Sequence, residues 1–216
     1  MTAKQTFIRF QHPCGARSSS QWRQALVSLE LPGIANLIVH QSGTALSITA
    51  RQPSDSQVMQ DASVEYMRAV ATLAGRMLDV EMLDLTPSVA MTGYRWRYRI
   101  PKLVVARSSD DWDGWRGEEL DASHHEKVLD RLQKDLSKQI QEWTGQSPDL
   151  GLELVSSGRP MVLKGAVSNG PKTVAAMARL DVMFTSTARI EGAFWTGLLQ
   201  ATGHGRIFRD GYQANE

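Results

Sequence analysis

The hydrophobic pattern of the N-terminal half switches between alternation and helical spacing. Residues 6–11 alternate, with Ile8 and Phe10 on one side and Phe7 on the other, which predicts a strand covered on both faces. A loop rich in Pro, Gly and Ser covers 12–20. Ser20 can cap a helix from Gln21 whose apolar stripe is Trp22, Ala25, Leu26 and Leu29, and Pro32-Gly33 ends it. Residues 36–40 and 44–50 read as strands joined by Gln41-Ser42-Gly43. Residues 52–60 read as a connector. A helix follows over 62–78, with Val64, Met67, Ala71, Ala74 and Leu78 at helical spacing, and 80–85 is a strand. Strand, helix, strand, strand, helix, strand is the ferredoxin-like order.

The second half is less regular. Residues 91–106 form a strand-like stretch interrupted by Pro101, which predicts an edge or a bend. Residues 108–121 read as a polar loop anchored by Trp112 and Trp115. Ser123 with Glu126 makes a capping box for a long helix reaching Trp143, with Leu129, Leu132, Leu136, Ile140 and Trp143 as its seam. Gly145 and Pro148 stop it. Residues 150–155 and 161–166 can pair as strands around 156–160, 172–177 is ambiguous, and 180–185 is a strand. A helix over 190–200, with Ile190, Phe194, Trp195 and Leu198 as apolar contacts, leads into a glycine-rich loop over 203–211. The second half can be a degenerate copy of the first, with helical pieces around 117–143 inserted.

Composition narrows the class. The chain has 216 residues, of which 42% are hydrophobic and 22% charged, enough for one large domain or two small ones with a real core. No stretch approaches the roughly 18 apolar residues of a membrane span. The N-terminal residues lack a secretion pattern, and the lone Cys14 can form no internal disulfide, so a cytoplasmic protein is expected. Cys14 itself reads as a small half-buried residue beside a turn.

Net charge is +1, and its distribution says more than its sum. Arg95, Arg97, Arg99, Lys102 and Arg107 follow one another with no acid between them. Asp110, Asp111, Asp113, Glu118, Glu119, Asp121 and Glu126 come next, against Arg116 alone. In Tyr94-Arg95-Trp96-Arg97-Tyr98-Arg99 alternation puts three guanidiniums on one strand face and three aromatic rings on the other. Arginine's planar fork suits phosphate and base edges, so the first face predicts nucleic-acid binding. A plain edge strand charged against aggregation is the other reading. Lys127, Arg131, Lys134 and Lys138 share a broad helix face, interleaved with Asp130, Asp135 and Glu142. That face either contacts RNA or is a solvated, ion-paired surface. His124 and His125 lack metal-pair spacing and read as surface residues.

The loop Gly203-His204-Gly205-Arg206-Ile207-Phe208-Arg209-Asp210-Gly211 permits close backbone approach; it reads equally as a phosphate contact through Arg206 and Arg209 or as a turn packing the C-terminus onto the domain. No carboxylate cluster for a metal is evident, and no cofactor is expected. His12, His40 and Arg23 lie near strand ends or a helix start of the first domain. An imidazole can take a proton from a ribose hydroxyl and an arginine can offset charge on phosphate, which makes these three the catalytic candidates.

Residues 190–212 resemble the C-terminal signature of CRISPR repeat-processing endoribonucleases of the RAMP superfamily. Gly203 and Gly205 match the first glycine pair, with His204 in the usual hydrophobic place, and Gly211 matches the next glycine. Gln213 stands where the final glycine is expected. The resemblance implies an α+β fold of tandem ferredoxin-like (RRM-like) domains, 1–88 and 89–216. Its insertion at about 117–144 is similar to the helical finger of the type IV branch. It further implies a metal-independent endoribonuclease that cleaves repeat hairpins in precursor crRNA by 2′-hydroxyl attack and holds the mature crRNA, with other effector-complex subunits as partners. Arg95, Arg97, Arg99, Lys102, Arg107, Lys127, Arg131 and the loop residues Gly203, His204, Gly205, Arg206 and Arg209 would then bind RNA. A noncatalytic RNA-binding subunit and a structural protein-interaction subunit are the alternatives.

Overall fold

The structure, a computed structural model, describes residues 3–11, 13, 17–107, 112–167 and 173–214, with side chains throughout except at 165–167, 173–174 and 212–214. His12 and Cys14 lie outside the described residues. The chain divides into two compact units. The first comprises residues 1–87 with 201–203, the second 88–200 with 204–216.

The first unit runs β1 (Gln5–Gln11), α1 (Ser19–Val27), β2 (Ile38–Ser42), β3 (Ala45–Thr49), α2 (Pro53–Asp61), α3 (Ser63–Ala74) and β4 (Val80–Leu85). Its sheet has the order β2-β3-β1-β4, antiparallel throughout, which is the ferredoxin-like connectivity. The central β1 is buried on both faces through Phe7, Ile8 and Phe10. The α1 cap is Ser18 rather than Ser20: its hydroxyl accepts from Gln21 N while the Gln21 side chain accepts from Ser18 N. The segment expected as a connector is α2, because Pro53 suits a first helical turn and Asp55 accepts from Gln52 N. The buried face of α3 is Tyr66, Ala69 and Val70, and Val64 is exposed. The Tyr66 ring turns the helix by reaching the core, where its hydroxyl donates to the Pro32 carbonyl.

The second unit runs β5 (Ser88–Ala106), α4 (Ala122–Thr144), β6 (Glu153–Ser156), β7 (Arg159–Val167), β8 (Thr173–Glu191) and β9 (Phe208–Ala214). Its antiparallel sheet has the order β6-β8-β5-β9, with β7 also on β8. Counting β6 and β7 as one broken strand, this is the strand order of the first unit, with α4 as the first crossover helix. Four expectations change. β6 and β7 do not pair with each other; they follow one another along β8. β5 runs on through Pro101, which stands beyond the β9 pairing and opposite Asp181, a residue with φ 59°. The cap of α4 is Asp121, which accepts from His124 N, so the Ser123–Glu126 box does not form. The expected helix over 190–200 is absent: β8 extends to Glu191, and Gly192, Gly197 and Leu199 adopt positive φ. A helix tolerates no such residues, so the segment is irregular where a second crossover helix would stand.

Arg179 on β8 is fully buried and organises this unit. Its guanidinium donates to the carbonyls of Ser157 (2.9 Å), Trp115 (3.0 Å), Gly117 (2.5 Å), Glu118 (2.7 Å) and Gly158. It thereby fixes both the tryptophan-anchored loop before α4 and the turn between β6 and β7. Replacing it by methionine orphans five carbonyls, and Arg179→Met should cost at least about 3 kcal/mol, read as a fall in urea midpoint.

Buried phenols make the fold sensitive to alkali. Burial pushes Tyr66 and Tyr98 up to about 12 from the usual 10. The unfolded chain ionises first, so stability is whole below about pH 10 and falls as pH rises toward about 12. Tyr98→Phe should flatten part of this loss, measured by urea midpoints at about pH 9 and about pH 11.

Candidate nucleic-acid interface

The arginine row on β5 exists as the alternation predicts, and each member carries a carboxylate. Arg95 pairs with Glu153 at 2.6 Å and also donates to the Thr185 hydroxyl. Arg97 pairs with Asp210 at 3.0 Å and Arg99 with Asp181 at 2.6 Å. Their side chains are 30%, 38% and 49% exposed, so the row is a half-open, internally neutralised surface rather than a bare phosphate platform. The partners come from β6, β8 and β9, which sequence order alone does not place beside β5. The aromatic face grades along the strand: Tyr94 is exposed, while Tyr98 is buried and stacks on Phe184 at 5.3 Å.

The more open basic surface lies at the other end of β5. Four cations, Arg107 from just beyond the strand and Lys127, Arg131 and Lys134 from α4, line an open groove of about 990 Å³. Asp113 and Asp130 are the acids on its wall. None of the four cations is in an ion pair among the described residues. Arg107, Lys127 and Arg131 were expected from the sequence; their meeting with Lys134 in one groove was not. Lys134 belongs to the helix face that its spacing already predicts with Lys127, Arg131 and Lys138; what the spacing does not show is that this face meets Arg107.

α4 is held in place along its length. Val128, Leu132, Leu136, Ile140 and Trp143 are buried, with Val128 taking the place expected for Leu129. Asp135 accepts from Gly197 N at 2.8 Å, Thr196 Oγ1 at 3.0 Å and Gln200 Nε2 at 3.3 Å. Gln139 donates to the Trp195 carbonyl at 2.6 Å and accepts from Trp195 N at 3.1 Å. The irregular segment after β8 is therefore strapped to the helix, and Gly197 and Leu198 become part of the groove wall. The first-turn histidine is less ordinary than expected. His124 Nδ1 lies 2.9 Å from Asp121, its ring stands edge-on to Trp115 at 4.6 Å, and it lines the groove. Those contacts, led by the backbone bond from His124, hold the Asp121 carboxyl below its usual range.

The glycine loop turns back as β9 and pairs with β5. Gly205 N donates to the Lys102 carbonyl at 2.8 Å, and the Lys102 side chain is half-buried. A side chain at Gly205 would meet the Thr196 carbonyl oxygen at 1.7 Å, and one at Gly203 would meet the His40 ring at 2.4 Å. Both glycines thus serve close packing. Arg206 lies over Trp195 at 5.1 Å and over Phe208 at 5.3 Å, and burial lowers its pKa. Arg209 pairs with Glu191 at 3.0 Å and lies over Trp96 at 5.6 Å. His204 is half-buried.

Of the catalytic candidates, Arg23 donates to the carbonyls of Leu37 (2.7 Å), Ala35 (2.7 Å) and Ile34 (3.4 Å), tying α1 to the turn before β2. Burial, then the charge of Arg51, lowers its pKa. His40 is half-buried on β2 beneath Gly203. Among the described residues no group of His, Cys, Asp and Glu is arranged to hold a metal, and no helix is long and apolar enough to cross a membrane.

The packing of the loop yields a direct expectation. Gly205→Ala forces a methyl onto a backbone oxygen at φ 78°, and the variant should melt well below the parent in a thermal scan.

The comparisons with known proteins bear on the whole chain. Residues 5–211 match the family described as type IV CRISPR-associated endonuclease Csf5. No curated protein matches. Among solved structures, "Csf5, CRISPR-Cas type IV Cas6 crRNA endonuclease" superposes with a TM-score of 0.68 at 20% identity, covering 96% of this chain and 100% of that one. A Cas6b crystal structure gives 0.66 at 10% identity, covering 95% and 99%. A Cas6b described as a CRISPR RNA processing endoribonuclease gives 0.52 at 10% identity, covering 95% and 99%. These likenesses carry the fold, and the family match, which spans nearly the full sequence, carries the assignment: the chain belongs to the type IV CRISPR-associated endonuclease family Csf5.

Proposed function

We propose that the chain is a metal-independent endoribonuclease that cuts CRISPR repeat hairpins in precursor crRNA. The observation that carries this reading is the groove where Arg107, Lys127, Arg131 and Lys134 converge. An A-form stem offers phosphates and shape rather than readable base edges in its deep groove, and a row of long cations on α4 suits that surface. In this proposal α4 is the finger, and Arg95, Arg97 and Arg99 exchange their carboxylates for phosphate when RNA arrives.

Cleavage uses the substrate's own ribose. The 2′-oxygen gives up its proton to a base and bonds to the adjacent phosphorus, and the bond from phosphorus to the 5′-oxygen breaks. The departing oxygen takes a proton from an acid. The products are a 2′,3′-cyclic phosphate and a 5′-hydroxyl. His40 and His12 are the proposed acid and base, with Arg23 positioning the site through the backbone it holds. Retention of the processed RNA and assembly with other CRISPR subunits belong to the same proposal.

A second reading, a noncatalytic RNA-binding subunit, is favoured by Arg23, whose guanidinium is already bound to three carbonyls. Incubation with the cognate repeat in excess EDTA, followed by analysis of product ends, separates the two. The proposal expects one defined cut with a cyclic phosphate. His40→Ala should slow the single-turnover rate by about 10²–10⁴ with binding retained. Lys127→Ala with Arg131→Ala should weaken binding and lower the salt slope by about two. Tight binding with no cut establishes the second reading.

A further inference from the structure

A second, smaller cavity of about 250 Å³ opens in the second unit, lined by Tyr98, Ile190, Phe194 and Ile207 with Glu191 and Arg209 at its rim. Its volume lies below the roughly 300–1,000 Å³ of clefts for drug-sized ligands, so it has room for one flat ring system rather than a base pair. Tyr98, Ile190, Phe194 and Ile207 form its floor and are themselves nearly buried, so a ligand meets mainly the rim. The rim is a carboxylate beside a guanidinium. Glu191 Oε1 accepts from both Arg189 and Arg209, and among the described residues its Oε2 accepts from the Ser88 hydroxyl alone, at 3.5 Å. Arg189 and Arg209 lie over Trp96 at 5.3 and 5.6 Å. Two guanidiniums against one carboxylate leave this corner positive despite the acid, which suits a group attached to phosphate.

A carboxylate next to a guanidinium asks for a ligand with adjacent N–H donors on one edge and acceptors on the next. Among nucleobases guanine matches both, with donors at N1 and N2 and acceptors at O6 and N7. Adenine and uracil lack the paired donors. Cytosine offers N4–H₂ alone. Single-stranded RNA is read in part by hydrogen bonds along the edges of such splayed-out bases. We infer that the pocket beneath Glu191 and Arg209 binds one unpaired guanine of the RNA, with its donor edge on Glu191 and its acceptors toward Arg209. The inference rests on the RNA-binding reading for its substrate and adds to it a base-specific subsite away from the groove cations. The low pKa of Glu191, set first by the Arg189 hydrogen bond, keeps the acceptor ionised.

The test is equilibrium dialysis of the full chain against 5′-GMP, IMP, AMP, CMP and UMP. IMP is guanine's nucleotide without the N2 amine. GMP should bind roughly tenfold more tightly than IMP and more tightly than the other three. Glu191→Gln should erase the advantage over IMP. Equal binding of all five nucleotides by the parent overturns the inference, and so does an advantage that survives in Glu191→Gln. The parent comparison needs no variant, so a misfolded substitution leaves it decisive. Binding of the cognate repeat is measured beside it. Repeat binding without guanine preference sinks the pocket alone. Guanine preference without repeat binding sinks the groove reading and leaves the pocket.

Discussion

The second unit depends on a buried cation that, among the described residues, hydrogen-bonds to no carboxylate. Arg179 sits on β8, is fully buried, and spends its donors on backbone carbonyls from two separate segments. A charge in that position is tolerable only when nearly every N–H finds an oxygen. That demand fixes the loop before α4 and the turn between β6 and β7 to the same strand. Gly158 follows from it: a side chain there would stand 2.0 Å from the Leu180 carbonyl, next to the arginine itself. Through Trp115 the same arginine reaches the start of α4, because that ring packs edge-on against His124.

The other end of the helix is fixed by a different device. Where the first unit has a second crossover helix, the second unit has an irregular segment with three positive-φ residues. Its backbone polar groups still need partners. Asp135 and Gln139 supply them from α4, and Val104 and Lys102 supply carbonyls from β5. The groove is a product of this arrangement. A helix strapped at Asp135 and seated through Arg179's loop leaves its Lys127–Lys134 face lining the end of β5, and that face carries the cations.

The sequence made the first unit legible because its signals are local. Alternation in β1, the hairpin of β2 and β3, and the strand β4 all lie within short windows, and their order names the topology. The misread elements there failed for side-chain reasons: the segment read as a connector is a helix that Pro53 opens, and Tyr66 overrides the stripe that Val64 suggested. The second unit is less legible because its decisive contacts are long-range. Ile190, Phe194 and Leu198 do recur at helical spacing, yet Gly192, Gly197 and Leu199 take left-handed or extended-positive backbone that no helix accepts. The arginine row was visible, but its partners Glu153, Asp181 and Asp210 lie 58, 82 and 113 residues away along the chain, and only the sheet brings them together. The grouping of Lys134 with Lys127 and Arg131 on one helix face was legible, but its meeting with Arg107 and the orientation of His124 were hidden, since both need the packing of α4.

The glycine pattern that carries the family resemblance is a packing constraint in this chain. Gly205 lies against the Thr196 carbonyl and Gly203 against the ring of His40, so the loop approaches closer than any side chain allows. Between and beyond them Arg206 and Arg209 are laid over Trp195, Phe208 and Trp96. A guanidinium laid on an aromatic face is held in orientation, and Arg209 is fixed further by its ion pair with Glu191. The loop thus does two things that reinforce each other. Its glycines let the backbone lie flat on its neighbours, and the flat backbone lets β9 pair with β5. That pairing delivers Arg209 to the rim of the small pocket and Asp210 to Arg97. Replacing Gly205 would move β9, and with it both the pocket rim and one ion pair of the arginine row. Of the two readings the loop allowed, phosphate contact or a packing turn, its glycines act as the second, through the geometry of a strand.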